Sequence, residues 1–225
     1  MKKFYILNFI YAFCVFPLTA QLMSVESSAF AANDIQFESS ELKIALSQDI
    51  DGLMSKVVKW RHHLHEYPEL GNREFKTSKY IADILNNLGL EVNTGIAYTG
   101  ITAYIRGEHS GPLIALRADI DALPVTELTN LPYASKETTM YQGNKVGVMH
   151  ACGHDAHVAV MLGVADFLSR NTDKLHGDIL LIFQPAEEGP PEGEEGGAEL
   201  MLKEGIFNEK PDVVFGMHVT NSYNG

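Results

Sequence analysis

The sequence predicts an α/β fold, a mixed-sheet α/β/α sandwich, on three observations. Apolar runs of strand length recur through the second half of the chain, segments of helical period precede and separate them, and polar clusters rich in His, Cys, Asp and Glu follow the ends of those runs. In open α/β sheets ligands bind beyond the carboxyl ends of the strands, so the position of the polar clusters points to function.

Taking the elements in order, Leu42, Ile44, Ala45, Ile50, Leu53, Met54, Val57, Val58 and Leu64 suit an amphipathic helix running to about Glu66. It is expected to break near Asp49 and to end before Pro68. Residues 32–40 are polar and read as a loose leader. A second helix is expected from about Glu74 to Leu88, with Tyr80, Ile81, Ile84 and Leu88 on one face and Gly89 as its stop. Strands are expected at Leu90–Val92, Ile101–Ile105 and Leu113–Leu116, a helix at Ala156–Leu168, and a strand at Ile179–Phe183 that enters an acidic Gly/Pro loop. A short helix, Ala198–Lys203, closed by Gly205, and a buried strand, Val213–Val219, complete the pattern. There is no repeat of fixed period.

Composition narrows the function classes. The 225 residues are 45% hydrophobic and 20% charged, with a mean hydropathy of −0.05, which fits a globular protein with a real core and excludes collagen, a disordered tail or a disulfide-knit miniprotein. Seventeen basic residues against 29 acidic ones give a charge of −12, so no nucleic-acid partner is expected.

Residues 1–31 read as a signal peptide: Lys2 and Lys3 precede an uncharged run from Phe4 to Phe16, and Ala29-Phe30-Ala31 offers a small-x-small cleavage site. A cut after Ala20 and a retained membrane anchor are the alternatives. Cleavage would leave residues 32–225 as an exported protein, periplasmic or secreted, with no stable membrane insertion. It would carry 15 basic and 28 acidic residues, a charge of −13, and would lose Cys14, leaving Cys152 without an intrachain partner.

Four clusters carry chemistry. In Arg117-Ala-Asp119-Ile-Asp121, two carboxylates two residues apart point the same way in an extended segment and can orient a metal-bound histidine or hold a metal, though a solvated turn reads the same. His150-Ala-Cys152-Gly-His154-Asp155-Ala-His157 sets three imidazoles, a thiol and a carboxylate within eight residues, and thiolate with imidazole suits a borderline metal such as zinc. In Gln184-Pro-Ala-Glu187-Glu188, adjacent carboxylates at a strand exit repel unless a cation is near, so one could bind metal and the other take a proton from water. An ordinary acidic loop is the alternative. His218 stands near the end of the last apolar run. The three histidines of Arg61-His62-His63-Leu-His65, at a helix end before proline, read instead as structural.

These segments, with His65-Glu-Tyr-Pro-Glu-Leu-Gly71 and Gly216-Met-His218-Val219, occur in an order that resembles the M20 metallopeptidase family in its amidohydrolase branch, over roughly residues 50–225. The resemblance implies an α/β/α sandwich of the zinc-peptidase type and two divalent cations, zinc, manganese or cobalt. It matches Cys152, His154, Glu188 and His218 to metal ligands, Glu187 to the general base and Asp121 to a carboxylate that orients the site. The implied reaction is hydrolysis of the amide bond of a small N-acyl amino acid by metal-activated water. Family members continue beyond the position of His218 into a lid domain, often a dimer interface, and a returning segment with a further histidine. The expectation is therefore an incomplete form lacking both, with an open sheet edge that favours association. The alternatives are a catalytically inactive remnant and an M20 dipeptidase or carboxypeptidase, against which the Cys152/His154 pair speaks.

Overall fold

A computed structural model describes residues 32–219, with side chains from Leu42 onward. The elements are α1 (Ala32–Glu66), α2 (Phe75–Asn87), β1 (Glu91–Ile96), β2 (Gly100–Arg106), β3 (His109–Asp119), β4 (Thr138–Tyr141), β5 (Asn144–Gly147), α3 (His154–Ser169), β6 (His176–Gln184), α4 (Gly197–Lys203) and β7 (Val213–Gly216). The main sheet has the order β1-β2-β6-β3-β7 and is mixed: β1, β2 and β6 pair antiparallel, whereas β6, β3 and β7 run parallel.

Period-two alternation sorts the side chains of the central strands onto two faces. Ile179, Leu181 and Phe183 of β6, with Leu116 and Ala118 of β3, meet Ile81 and Leu85 of α2 and Val158, Met161, Leu162 and Ala165 of α3. Leu180 and Ile182 of β6, with Leu113 and Ala115 of β3, point the other way onto Met201 of α4. Because β6 is covered on both faces, it reads as an unbroken apolar run. Leu53 and Val57 of α1 cover the outer side of α3 at Ala159 and Phe167. The result is the three-layer mixed sandwich expected from the sequence.

The carboxyl ends of the three parallel strands lie nearly level. Asp119 pairs with Gln184, and Arg117 with both Ile182 and Gly216. Residues just past each strand therefore emerge on one rim.

Several expectations need correction. Residues 32–40 continue α1 rather than forming a loose leader, and α1 is unbroken at Asp49. The Asp49 carboxylate accepts a hydrogen bond from Arg170 at the far end of α3 (2.5 Å), so it does not compete for its own backbone. The β4–β5 hairpin was not anticipated; Gln142 (φ 49°) and Gly143 (φ 78°) form its two-residue turn. β7 is shorter than expected and exposed rather than buried, with Phe215 at 56%, because it is the sheet's edge strand. His218 therefore lies two residues beyond the strand. The expected signal segment, residues 1–31, lies outside the described residues. Among the described residues no helix is long and apolar enough to cross a membrane.

The histidines at the end of α1 pack as expected. His63 stacks on Tyr80 and His62 on Tyr133, while buried His65 bonds Asp155 (2.9 Å) and Glu127 (3.3 Å).

Candidate metal centre

The candidate side chains reach the rim from the ends of the three parallel strands and from the start of α3. Asp119 ends β3 and Asp121 follows it; Glu187 and Glu188 follow β6; His218 follows β7; His154 opens α3. Gly153 makes the turn into α3 with φ +85°, a left-handed conformation that a side chain resists. Across this turn Cys152 and His154 direct their donor atoms to one place.

His154 is the centre of the arrangement. Its Nδ1 lies 2.8 Å from the Asp121 carbonyl oxygen, which can only accept, so Nδ1 carries the proton. Its Nε2 is buried and without a hydrogen-bond partner. That nitrogen faces Asp119 Oδ1 at 3.7 Å, Glu187 Oε2 at 3.9 Å and Glu188 Oε1 at 4.0 Å. Cys152 Sγ lies 3.4 Å from His218 Nε2, and Cys152, His154 and His218 converge with their donor atoms within 4.8 Å of one another. A second such group joins His154, Glu187 and Glu188, and a third Asp119, His154 and His157. All six residues expected at the site thus stand on one rim, with Asp121 behind His154.

The electrostatics call for a cation. Burial, then the hydrogen bond and charge of Glu188 and the charges of Glu187 and Asp119, push the Cys152 thiol up to about 12. A dication among those carboxylates reverses that effect and favours the thiolate. Burial opposes ionisation of Asp119, yet the His157 hydrogen bond and the neighbouring His154 and Arg117 hold its carboxyl below the usual range. For His154, burial disfavours the cation, but the Asp121 bond and the charges of Asp119 and Asp121 outweigh it and raise its pKa. The thiol, the imidazoles and the carboxylates form a donor set suited to zinc or a similar divalent ion, and the orphaned Nε2 of His154 is aimed into it.

Sequence reasoning did not assign His157. Its Nδ1–H donates to Asp119 Oδ1 (2.5 Å), and its Nε2 accepts the Val219 N–H (2.9 Å), so it ties the segment after His218 back to β3. A histidine three residues after a ligand candidate, one helical turn on, was the available signal. Arg117 opens the first cluster but carries no sequence signal of a role; its Nη1 lies 2.9 Å from Asp119 Oδ2, its Nε donates to Gln184 (2.9 Å), and Nη2 lies 4.0 Å from Glu187. His150, counted in the cluster, is buried and outside the convergent groups; burial pushes its imidazole down to about 4.

Residues 115–224 match the model of peptidase family M20/M25/M40. The chain is 46% identical over 179 residues to thermostable carboxypeptidase 1 of Saccharolobus solfataricus, covering 79% of this chain and 42% of that protein. It is 44% identical over 170 residues to N-acetyl-L-cysteine deacetylase of Bacillus subtilis, covering 76% of this chain and 38% of the relative. Among solved structures, the Bacillus subtilis YXEP protein, a dinuclear metal binding peptidase from the M20 family, superposes with a TM-score of 0.66 at 40% identity over 76% of this chain and 44% of that one. The chain thus spans less than half the length of each of these relatives.

Proposed function

Residues 115–224 of this chain belong to peptidase family M20/M25/M40, and on that premise we propose that it serves metal-dependent hydrolysis of the amide joining an acyl group to an amino acid. The observation that carries the reading is the buried, unpartnered Nε2 of His154, faced by Glu187, Glu188 and Asp119 beside the Cys152–His218 pair. Cys152, His154, Glu188 and His218 would hold two divalent cations, zinc, manganese or cobalt. When bound, those cations supply Lewis acidity at the amide carbonyl and make water more acidic.

The chain's own residues do the rest. Asp121 fixes the His154 ring through its carbonyl oxygen, leaving Nε2 outward. Glu187, at 37% side-chain exposure, is open to substrate and water, and Arg117 Nη2 lies 4.0 Å from it. Glu187 takes a proton from the attacking water as the new C–O bond forms, and gives it to the nitrogen as the C–N bond breaks. An exported location is part of the proposal, supported by the basic start and the uncharged run from Phe4 to Phe16.

The carboxypeptidase reading rests on the similarity to the Saccharolobus protein, as the deacetylase reading rests on the similarity to the Bacillus protein. Both break an amide whose nitrogen belongs to an amino acid, so they differ in the acyl side alone. N-acetyl amino acids and N-blocked dipeptides, offered to the metal-loaded protein, distinguish them.

Glu187→Gln tests the mechanism. Hydrolysis is expected to fall by about 10²–10⁴-fold with metal content retained. Activity within tenfold of the parent removes Glu187 as the base, and no hydrolysis by the metal-loaded parent favours an inactive remnant.

A further inference from the structure

Glu74 stands just before the first residue of α2, and the proposed mechanism does not use it. Its side chain is fully buried (0% exposed), unusual for a carboxyl that forms no salt bridge among the described residues. Two hydrogen bonds hold it in place. Oε2 accepts from the Thr99 hydroxyl (2.6 Å), in the turn between β1 and β2, and Oε1 accepts from the Ala186 amide (2.9 Å).

Ala186 is the residue before Glu187, and its φ is +46°, the left-handed region that an alanine adopts only under constraint. The turn at Ala186 sets the direction in which Glu187 and Glu188 leave β6. The segment preceding Glu74 holds the same loop elsewhere. Gly71 packs so closely that a Cβ would lie 2.9 Å from the Gly189 carbonyl and 3.2 Å from Ala186, which leaves room for glycine alone. Asn72 Nδ2 donates to the Glu195 carbonyl (2.8 Å) and Arg73 Nη1 to Glu194 (3.0 Å) at the far end of the loop. The Glu69 carbonyl accepts from the Ala122 amide (2.8 Å), next to Asp121.

We propose that Glu74 is a positioning residue of the metal centre, whose buried side chain holds the Ala186 amide in its left-handed turn and so aims Glu187 and Glu188 at His154. The proposal rests on the reading of Glu187 and Glu188 as base and metal ligand. Geometry rather than charge is the requirement. A Gln side chain reaches as far, accepting from Ala186 through its oxygen and donating to the Thr99 hydroxyl through its amide. An Asp side chain, one methylene shorter, does not reach both.

The test compares Glu74→Gln, Glu74→Asp and Glu74→Ala with the parent chain by two measurements. The first is hydrogen exchange of the Ala186 amide in metal-free protein. Glu74→Gln should keep the parent's protection, and Asp and Ala should lose at least tenfold. The second is a Co²⁺ titration followed by the thiolate-to-cobalt charge-transfer band, in which Gln should bind within threefold of the parent and Asp and Ala about 10–100-fold more weakly. Undiminished protection in Asp or Ala, or loss of protection in Gln, overturns the proposal. So does parent-like cobalt affinity in Asp or Ala. If Ala does not fold, the Gln–Asp contrast decides. A parent chain that protects Ala186 but binds no cobalt leaves the clamp standing and overturns the metal reading.

Discussion

The two halves of the candidate centre are built differently. On the β3–α3 side, Asp119, Asp121, His154 and His157 are at most 1% exposed and cross-linked by hydrogen bonds: His157 to Asp119, and His154 to the Asp121 carbonyl. On the β6–β7 side, the Glu187 and Glu188 side chains are 37% and 29% exposed, and His218 is exposed beyond the edge strand. The buried half fixes the orientation of its rings before any ligand arrives. The exposed half supplies charge and reach, and depends on loops held from a distance. Affinity should therefore reside mostly in the buried half and turnover in the exposed one.

The largest effect expected from that contrast is on metal binding. Structural zinc sites gain roughly 10–16 kcal/mol from four ligands, so losing one well-oriented ligand costs about 3 kcal/mol, or some 10²-fold. His154→Ala should weaken Co²⁺ or Zn²⁺ binding by about that much or more. His218→Ala should cost at least tenfold less than His154→Ala, because water can replace an exposed ligand. Equal losses in competition titrations would erase the distinction between the halves.

Much of this site was legible because its residues are conspicuous against apolar runs. A thiol and three imidazoles within eight residues, and paired carboxylates four and five residues after Phe183, have few packing explanations. The parallel strand ends then bring them together, as sheet topology requires. Other features left weaker signals. Glu74 looks like any acidic residue at a helix start, since only the tertiary structure reveals the Ala186 amide opposite it. Glu69 in fact covers the first turn of α2, accepting from the Lys76 and Thr77 amides (2.8 and 2.9 Å). The hairpin β4–β5 has no apolar alternation because most of its residues are exposed. The run Val213–Val219 looked buried because hydropathy says nothing of what lies over a strand.

An intermediate effect follows from Glu74, which anchors the exposed half from the buried interior. Burial, eased but not offset by the Thr99 and Ala186 hydrogen bonds and reinforced by the negative charge of Asp121, pushes its carboxyl from 4.5 up to about 7 in the fold. Arg73, the nearby cation, is engaged by Glu194. In the unfolded chain Glu74 ionises near 4.5, and in the folded chain it holds its proton to about 7. Its contribution to stability is therefore complete below pH 4.5 and is lost as pH rises through 7. The span amounts to on the order of 3 kcal/mol. In metal-free protein, the stability of Glu74→Gln minus that of the parent should rise by that order between pH 4 and pH 8, measured by urea denaturation. A flat difference would mean that Glu74 ionises in the fold as it does in the unfolded chain, and that at neutral pH the exposed half is tethered by a charge.

The smallest effect tests whether the contrast begins in the sheet itself. β6, interior and covered on both faces, leads to Glu187 and Glu188, whereas β7, the edge strand, leads to His218. Val214 of β7 is 50% exposed, and threonine keeps its shape and its preference for extended backbone. Val214→Thr should change the unfolding free energy by no more than about 0.5 kcal/mol. The same substitution of shape at Ile182 of β6, 3% exposed, buries a hydroxyl and removes a methyl group, and should cost roughly 2 kcal/mol or more. If Val214→Thr instead proved as costly as Ile182→Thr, β7 would be covered in solution by something that excludes water from its outer face. The exposed half of the centre would then be as enclosed as the other, and the expected gap between His154→Ala and His218→Ala should close with it.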